Sequence, residues 1–241
     1  MKRCLPTVLP NRSNSSQDKN FVYGSLSAVW LVAVAFGLWG LMSYANRPGD
    51  QGQPVATWPE AIGIERSNFQ PTLVLFAHPK CPCTRATLGE LAWLMNRCAD
   101  DLDCHVLFFR PGQQDDSWSK TRLWDEAAAI RGVSVAADPD AQLASQFGVR
   151  TSGHALLYDP QGKLVFEGGI TGSRGHRGDN PGRSAVLSLV GEDHVASGFI
   201  QASGSKRSKQ HQRATCSSCV FGCPLRASQV ALRALPAGAE G

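Results

Sequence analysis

Residues 71–91, PTLVLFAHPKCPCTRATLGEL, constrain the fold more than any other stretch of the chain. Leu73-Val74-Leu75-Phe76 is a continuous apolar run of the length of a strand buried on both faces. Two cysteines around one proline follow at once, Cys81-Pro82-Cys83. Beyond them Ala86, Leu88, Leu91, Leu94 and Met95 recur at helical spacing among good helix formers. Such a stretch delivers a Cys-Pro-Cys turn to the first turn of a helix. Backbone N–H groups and the positive end of the helix dipole favour a thiolate there, and Lys80 adds a charge. A thiolate is both a nucleophile and a soft-metal ligand, so the pair Cys81 and Cys83 is read either as a dithiol/disulfide couple or as a metal site.

Eight cysteines are many for a cytosolic chain and imply an oxidising compartment or metal binding. Phe21 to Met42 carries no charge, and as a helix it spans about 33 Å against a hydrocarbon core of about 30 Å. Lys2, Arg3, Arg12 and Lys19 precede it against a single acid, Asp18, which favours a cytoplasmic N-terminus and exports the rest. The run is longer than the apolar core of a cleaved signal peptide and is read as a retained anchor, single-pass, with the folded domain periplasmic. The formal net charge of +4 is too small to argue for nucleic acid, and no nucleotide fingerprint is present.

The expected organisation is a cytoplasmic N-terminus (1–20), a transmembrane anchor (21–44), a Gly/Pro-rich linker (45–61), a folded domain (62–196) and a flexible basic tail (197–241). Within the domain, a second strand is expected at His105–Phe109 and an amphipathic helix near 120–130. An edge strand at Val133–Val135 and a short helix capped around Asp138 follow. A hairpin is expected around Asp159-Pro160-Gln161-Gly162, then a last helix near 184–190.

This order, with the cysteine pair after the first strand, resembles the thioredoxin superfamily over about Phe69 to Val190. HPKCPCTRATLGEL and TSGHALLYDPQGKLVFEGGITGSRGH are similar to membrane-anchored bacterial thioredoxin-like proteins with a Cys-Pro-Cys motif, of the RedB type. The resemblance implies an α/β, thioredoxin-like three-layer fold with a central mixed sheet, here joined to one N-terminal transmembrane helix. It implies a thiol–disulfide oxidoreductase acting on exported protein thiols or disulfides, with no required cofactor. Two departures stand out. Lys80 occupies the place of the first cysteine in the usual Cys-x-x-Cys, and Thr151-Ser152-Gly153-His154 replaces the usual proline loop. Ser152 and Gly153 would position the substrate chain through their backbone.

On the redox reading Cys81, taken as the more exposed, attacks and Cys83 resolves. A strained, exposed ring would favour an oxidant or isomerase. The alternative is copper, held by Cys81, Cys83 and His154, the last placed as in Sco-type copper chaperones of the superfamily, for metal-site assembly. Outside the cytoplasm Cys98 and Cys104 are read as a structural disulfide. Cys4 is read as an inner-side free thiol. Cys216, Cys219 and Cys223 form a compact tail cluster, suited to an internal disulfide, to a metal with His211, or to electron exchange with the domain pair. A linker of ~15 residues reaches roughly 20 Å, enough to bring that cluster to the turn. The glycine-rich loop bearing Arg174, Arg177 and Arg183 is read as a surface loop.

Overall fold

The structure is a computed structural model that describes residues 15–60, 62–199 and 216–225. It divides into two compact units, residues 1–45 and 46–241. The first contains α1 (Ser15–Ala45), whose segment Lys19–Ala45 has a mean hydropathy of 1.9 and is long and apolar enough to cross a membrane. Its large side chains, Trp30 and Trp39 among them, are exposed.

The second unit is built on a sheet that begins with β1 (Thr72–Ala77), buried at every position. Then come α2 (Pro82–Cys98), β2 (Asp103–Arg110), a 3-10 turn at Asp116–Trp118, α3 (Arg122–Ala128), β3 (Val133–Pro139) and α4 (Gln142–Gln146). The chain continues with β4 (His154–Tyr158), β5 (Leu164–Gly169), α5 (Pro181–Phe199) and β6 (Cys216–Ser217). The strand order is β3-β2-β1-β4-β5-β6. β1 runs parallel to β2 and antiparallel to β4, and β4 and β5 form the expected hairpin. Asp159 fixes the hairpin turn, its carboxylate accepting the N–H groups of Gln161 (3.0 Å) and Lys163 (2.8 Å).

The pleat sends Leu73 and Leu75 to one face, where they meet Leu91, Leu94 and Met95 of α2 and Val186 and Val190 of α5. Val74 and Phe76 face the other way, onto Phe147, Tyr158 and Ile62. That two-sided burial is why the first strand reads as an unbroken apolar run. α4 starts on two bonds to Asp138, whose carboxylate accepts the N–H groups of Leu143 (2.8 Å) and Ala144 (3.0 Å).

Two parts expected as linkers are packed. In 45–61, the N–H of Gln53 donates to the Gly148 carbonyl (2.9 Å) and that of Trp58 to Gly162 (2.7 Å), while the Trp58 ring stands edge-on to Phe147 (5.2 Å) and Tyr158 (5.3 Å). The apolar Val55 and Trp58 within a Gly/Pro-rich stretch are the reason. The folded unit therefore starts before Ile62. Within the expected tail, residues 216–225 lie on the domain, where β6 pairs parallel with β5 and Val220, Phe221 and Leu225 are buried. Cys4 and His211 lie outside the described residues.

Candidate functional site

Pro82 opens α2 at a position that needs no N–H donor, and Cys81 is its N-cap residue in extended conformation. The Cys81 side chain makes no capping bond, so the helix start stays available to a sulfur anion. The turn is fastened by bonds from Cys81 N–H to the His78 carbonyl (3.1 Å), from Thr84 N–H to the Cys81 carbonyl (3.1 Å) and from the Thr84 hydroxyl to the His78 carbonyl (2.9 Å).

Exposure reverses the expected order of the pair. Cys81 is 1% exposed, whereas Cys83 is half-buried. A third thiol lies against Cys81. Residues 220–223 cross the turn and bring Cys223 Sγ to 2.7 Å from Cys81 Sγ. Burial, then the neighbouring Cys81, holds the Cys83 thiol above its ordinary pKa, and the Arg174 guanidinium pulls the other way. Cys223 is pushed up to about 12, again mainly by burial. Arg174 also donates from Nη1 to the Gly222 carbonyl at 2.7 Å. The cation expected here, Lys80, lies instead over the Trp118 ring, 4.2 Å from its centroid. His78 stacks on Phe109 (5.5 Å) beside that ring, so an aromatic lip borders the turn, and burial lowers the His78 pKa.

Ser152 ties the 151–154 loop to the turn, its hydroxyl accepting the His78 N–H (2.9 Å) and lying 3.3 Å from that of Thr84. Gly153 (φ +86°) donates its N–H to the Phe76 carbonyl at 2.7 Å. The backbone N–H of Ser152, expected to serve a substrate chain, is bonded to the Cys223 carbonyl (2.8 Å).

His154 is wholly buried at the start of β4, and neither ring nitrogen makes a hydrogen bond of normal geometry. Burial lowers its pKa to about 4, against a small opposing pull from the Gln51 backbone. Among the described residues no three His, Cys, Asp or Glu side chains converge to hold a metal ion. Cys81, Cys83 and His154 do not form such a group in this structure. The depressed pKa has its own consequence. Unfolded His154 protonates first as pH falls below about 6.5, so stability should drop by about 3 kcal/mol between there and pH 4. His154→Leu should flatten that part of the profile, and an unchanged profile in pH-dependent unfolding would contradict the assignment.

Cys98 and Cys104 are free thiols, not the expected disulfide. Cys98 donates back to the Leu94 carbonyl in its own helix (3.1 Å), and both sulfurs sit in the main core, where burial raises their pKa values, Cys98 to about 11. Of the tail cluster, Cys223 reaches the turn, Cys219 is exposed, and the backbone of Cys216 pairs with Phe166.

The glycine-rich loop is anchored to α2. Arg183, 5% exposed, pairs with Glu90, 3% exposed, at 2.5 Å, and Glu90 also accepts the Gly178 N–H (2.8 Å). That anchoring puts Arg174 at the thiols. Sequence reasoning missed Arg174 and underrated Cys223. For Cys223 the available signal was the preceding Gly222, where the backbone passes too close to Ser152 for a side chain; nothing comparable marks Arg174 in the sequence.

No family model and no curated protein matches the sequence. Among solved structures, the chain is similar to a hypothetical protein from Sinorhizobium meliloti 1021, at 18% identity over 76% of this chain and 98% of that one, with a TM-score of 0.49. It is similar to the exposed lipoprotein thioredoxin Etrx1 of Streptococcus pneumoniae strain TIGR4, at 18% identity over 58% and 99%, with a TM-score of 0.40. A secreted disulfide oxidoreductase of Mycobacterium tuberculosis matches at 12% identity over 52% and 83%, with a TM-score of 0.37. Parallel β1-β2-β3, an antiparallel β4-β5 hairpin, a closing helix and a cysteine turn after β1 give this chain the fold of the thioredoxin superfamily.

Proposed function

We propose that the chain is a thiol–disulfide oxidoreductase, held in a membrane by α1 with its folded domain extracytoplasmic, that reduces disulfides of exported proteins through Cys81 and Cys83. The observation that carries this reading is the pair of thiols at the start of a 17-residue helix, with the Arg174 guanidinium favouring the thiolate of the outer one. Cys83 is the half-exposed sulfur and has a cation beside it, so it attacks. Its thiolate displaces one sulfur of a substrate disulfide, forming a mixed disulfide and releasing a substrate thiolate that takes up a proton. The Cys81 thiolate then attacks Cys83 Sγ, closing the Cys81–Cys83 disulfide and expelling the second substrate thiol. Substrate gains two electrons and the turn loses two.

The thiols support this direction. Burial disfavours the thiolate of Cys83, and with it the dithiolate of the reduced turn. Strong oxidants of this chemistry are oxidants because their reduced form is stabilised, and burial withholds that stabilisation from Cys83. This argues against the oxidant or isomerase expected from ring strain. Titrated in glutathione buffers, the Cys81/Cys83 couple should be half-reduced at a poise more negative than about −200 mV. Cys81→Ser should leave exported proteins trapped on Cys83 as mixed disulfides, visible on non-reducing gels. Failure of both the titration and the trap would sink the reading.

A further inference from the structure

We infer that residues 216–225 are a built-in exchange arm, in which Cys223 displaces Cys83 from its disulfide with Cys81 and so frees Cys83 for a further attack. The inference rests on the oxidoreductase reading above and extends it to a third sulfur.

The arm is held along its length. Ser218 N–H donates to the Glu167 carbonyl (3.1 Å), and Val220 accepts from Gly49 N–H (2.9 Å). Leu225 N–H donates to Arg150 (2.9 Å), and Thr151 and Pro224 form an antiparallel bridge. Glycines clear its path. A Cβ on Gly222 would lie 1.8 Å from the Ser152 carbonyl oxygen, and one on Gly169 would lie 2.5 Å from that of Cys219. With Cys223 and the two residues after it fixed to the 150–152 backbone, Cys223 has its sulfur 2.7 Å from Cys81, a short step from the roughly 2.05 Å of a bond. The Cys223 carbonyl also occupies the Ser152 N–H that a substrate chain would need, so the arm and an incoming substrate compete for one place.

The step is an internal thiol–disulfide exchange. The Cys223 thiolate attacks Cys81 Sγ in the oxidised turn, the Cys81–Cys83 bond breaks and Cys81–Cys223 forms. Cys83 leaves as thiolate and takes up the proton that Cys223 gave away. No electron enters or leaves the chain. The oxidised pair moves to the arm, and the outer thiol is reduced again.

The test uses the full chain in detergent micelles, equilibrated in glutathione buffers from reducing to oxidising, quenched in acid, alkylated, and mapped for disulfides by mass spectrometry. Reduction of insulin by the same preparation is followed in parallel. Wild type should show Cys81–Cys83 and Cys81–Cys223 together at intermediate poise, within about tenfold of each other. Cys83→Ser should show Cys81–Cys223 alone, and Cys223→Ser should show Cys81–Cys83 alone with a shifted midpoint. Two results would overturn the arm while insulin reduction persists. One is no Cys81–Cys223 peptide at any poise, in wild type or Cys83→Ser. The other is Cys81–Cys223 as the only species in wild type, the mark of a fixed staple. If both disulfides form and insulin is not reduced, the arm stands and the oxidoreductase reading falls.

Discussion

Replacing Glu90 with alanine should cost the domain about 3–5 kcal/mol, the usual result of stranding one partner of a buried ion pair. The Arg183 guanidinium lies 3.8 Å from the centroid of the Trp93 ring and is almost sealed from water, so it has little solvent to turn to. Asp179 also touches it, but the Asp179 side chain is fully exposed and gives weak compensation. Glu90→Gln, which keeps an acceptor for the Gly178 N–H, should fall between wild type and alanine. Denaturant unfolding followed by tryptophan fluorescence reads both changes. An unchanged midpoint for Glu90→Ala would mean that the pair does not hold the loop. Because the same loop carries Arg174, the alanine variant should also slow attack by Cys83 in whatever fraction remains folded.

Gly222→Val is expected to uncover Cys81. Its Cβ has no room against the Ser152 carbonyl, and overpacking of this kind costs about 1–3 kcal/mol. Such a cost raises the population of undocked arm by about fivefold to about 150-fold. Cys81, 1% exposed under the docked arm, should then react faster with iodoacetamide in that proportion, while buried Cys104 stays inert. Peptide-resolved alkylation rates test this directly. Equal Cys81 rates in variant and wild type would show that something other than the arm shields the thiol.

Much of the fold was legible because the residues that build it act locally. The apolar run 73–76, the Asp159-to-Gly162 turn and the helical spacing after Cys83 each determine their own element. What escaped was decided by distant partners. Val55 and Trp58 looked like linker residues because their burial depends on Phe147 and Tyr158, about a hundred positions away. The relative exposure of Cys81 and Cys83 could not be read from Cys-Pro-Cys, since it is set by residues 220–223. Cys98 and Cys104 have a spacing that suits a disulfide, and only the Cys98 rotamer, turned onto Leu94, shows them as separate thiols.

The short pairing of Cys216-Ser217 with Phe166-Glu167 also closes one border of the sheet. When the arm lifts, β5 is left with an unsatisfied row of backbone donors and acceptors, a template for adding another strand. A neighbouring copy owns a strand of matching sequence. Forms in which the arm is released should therefore trade strands between copies at high concentration, and docked forms should stay single.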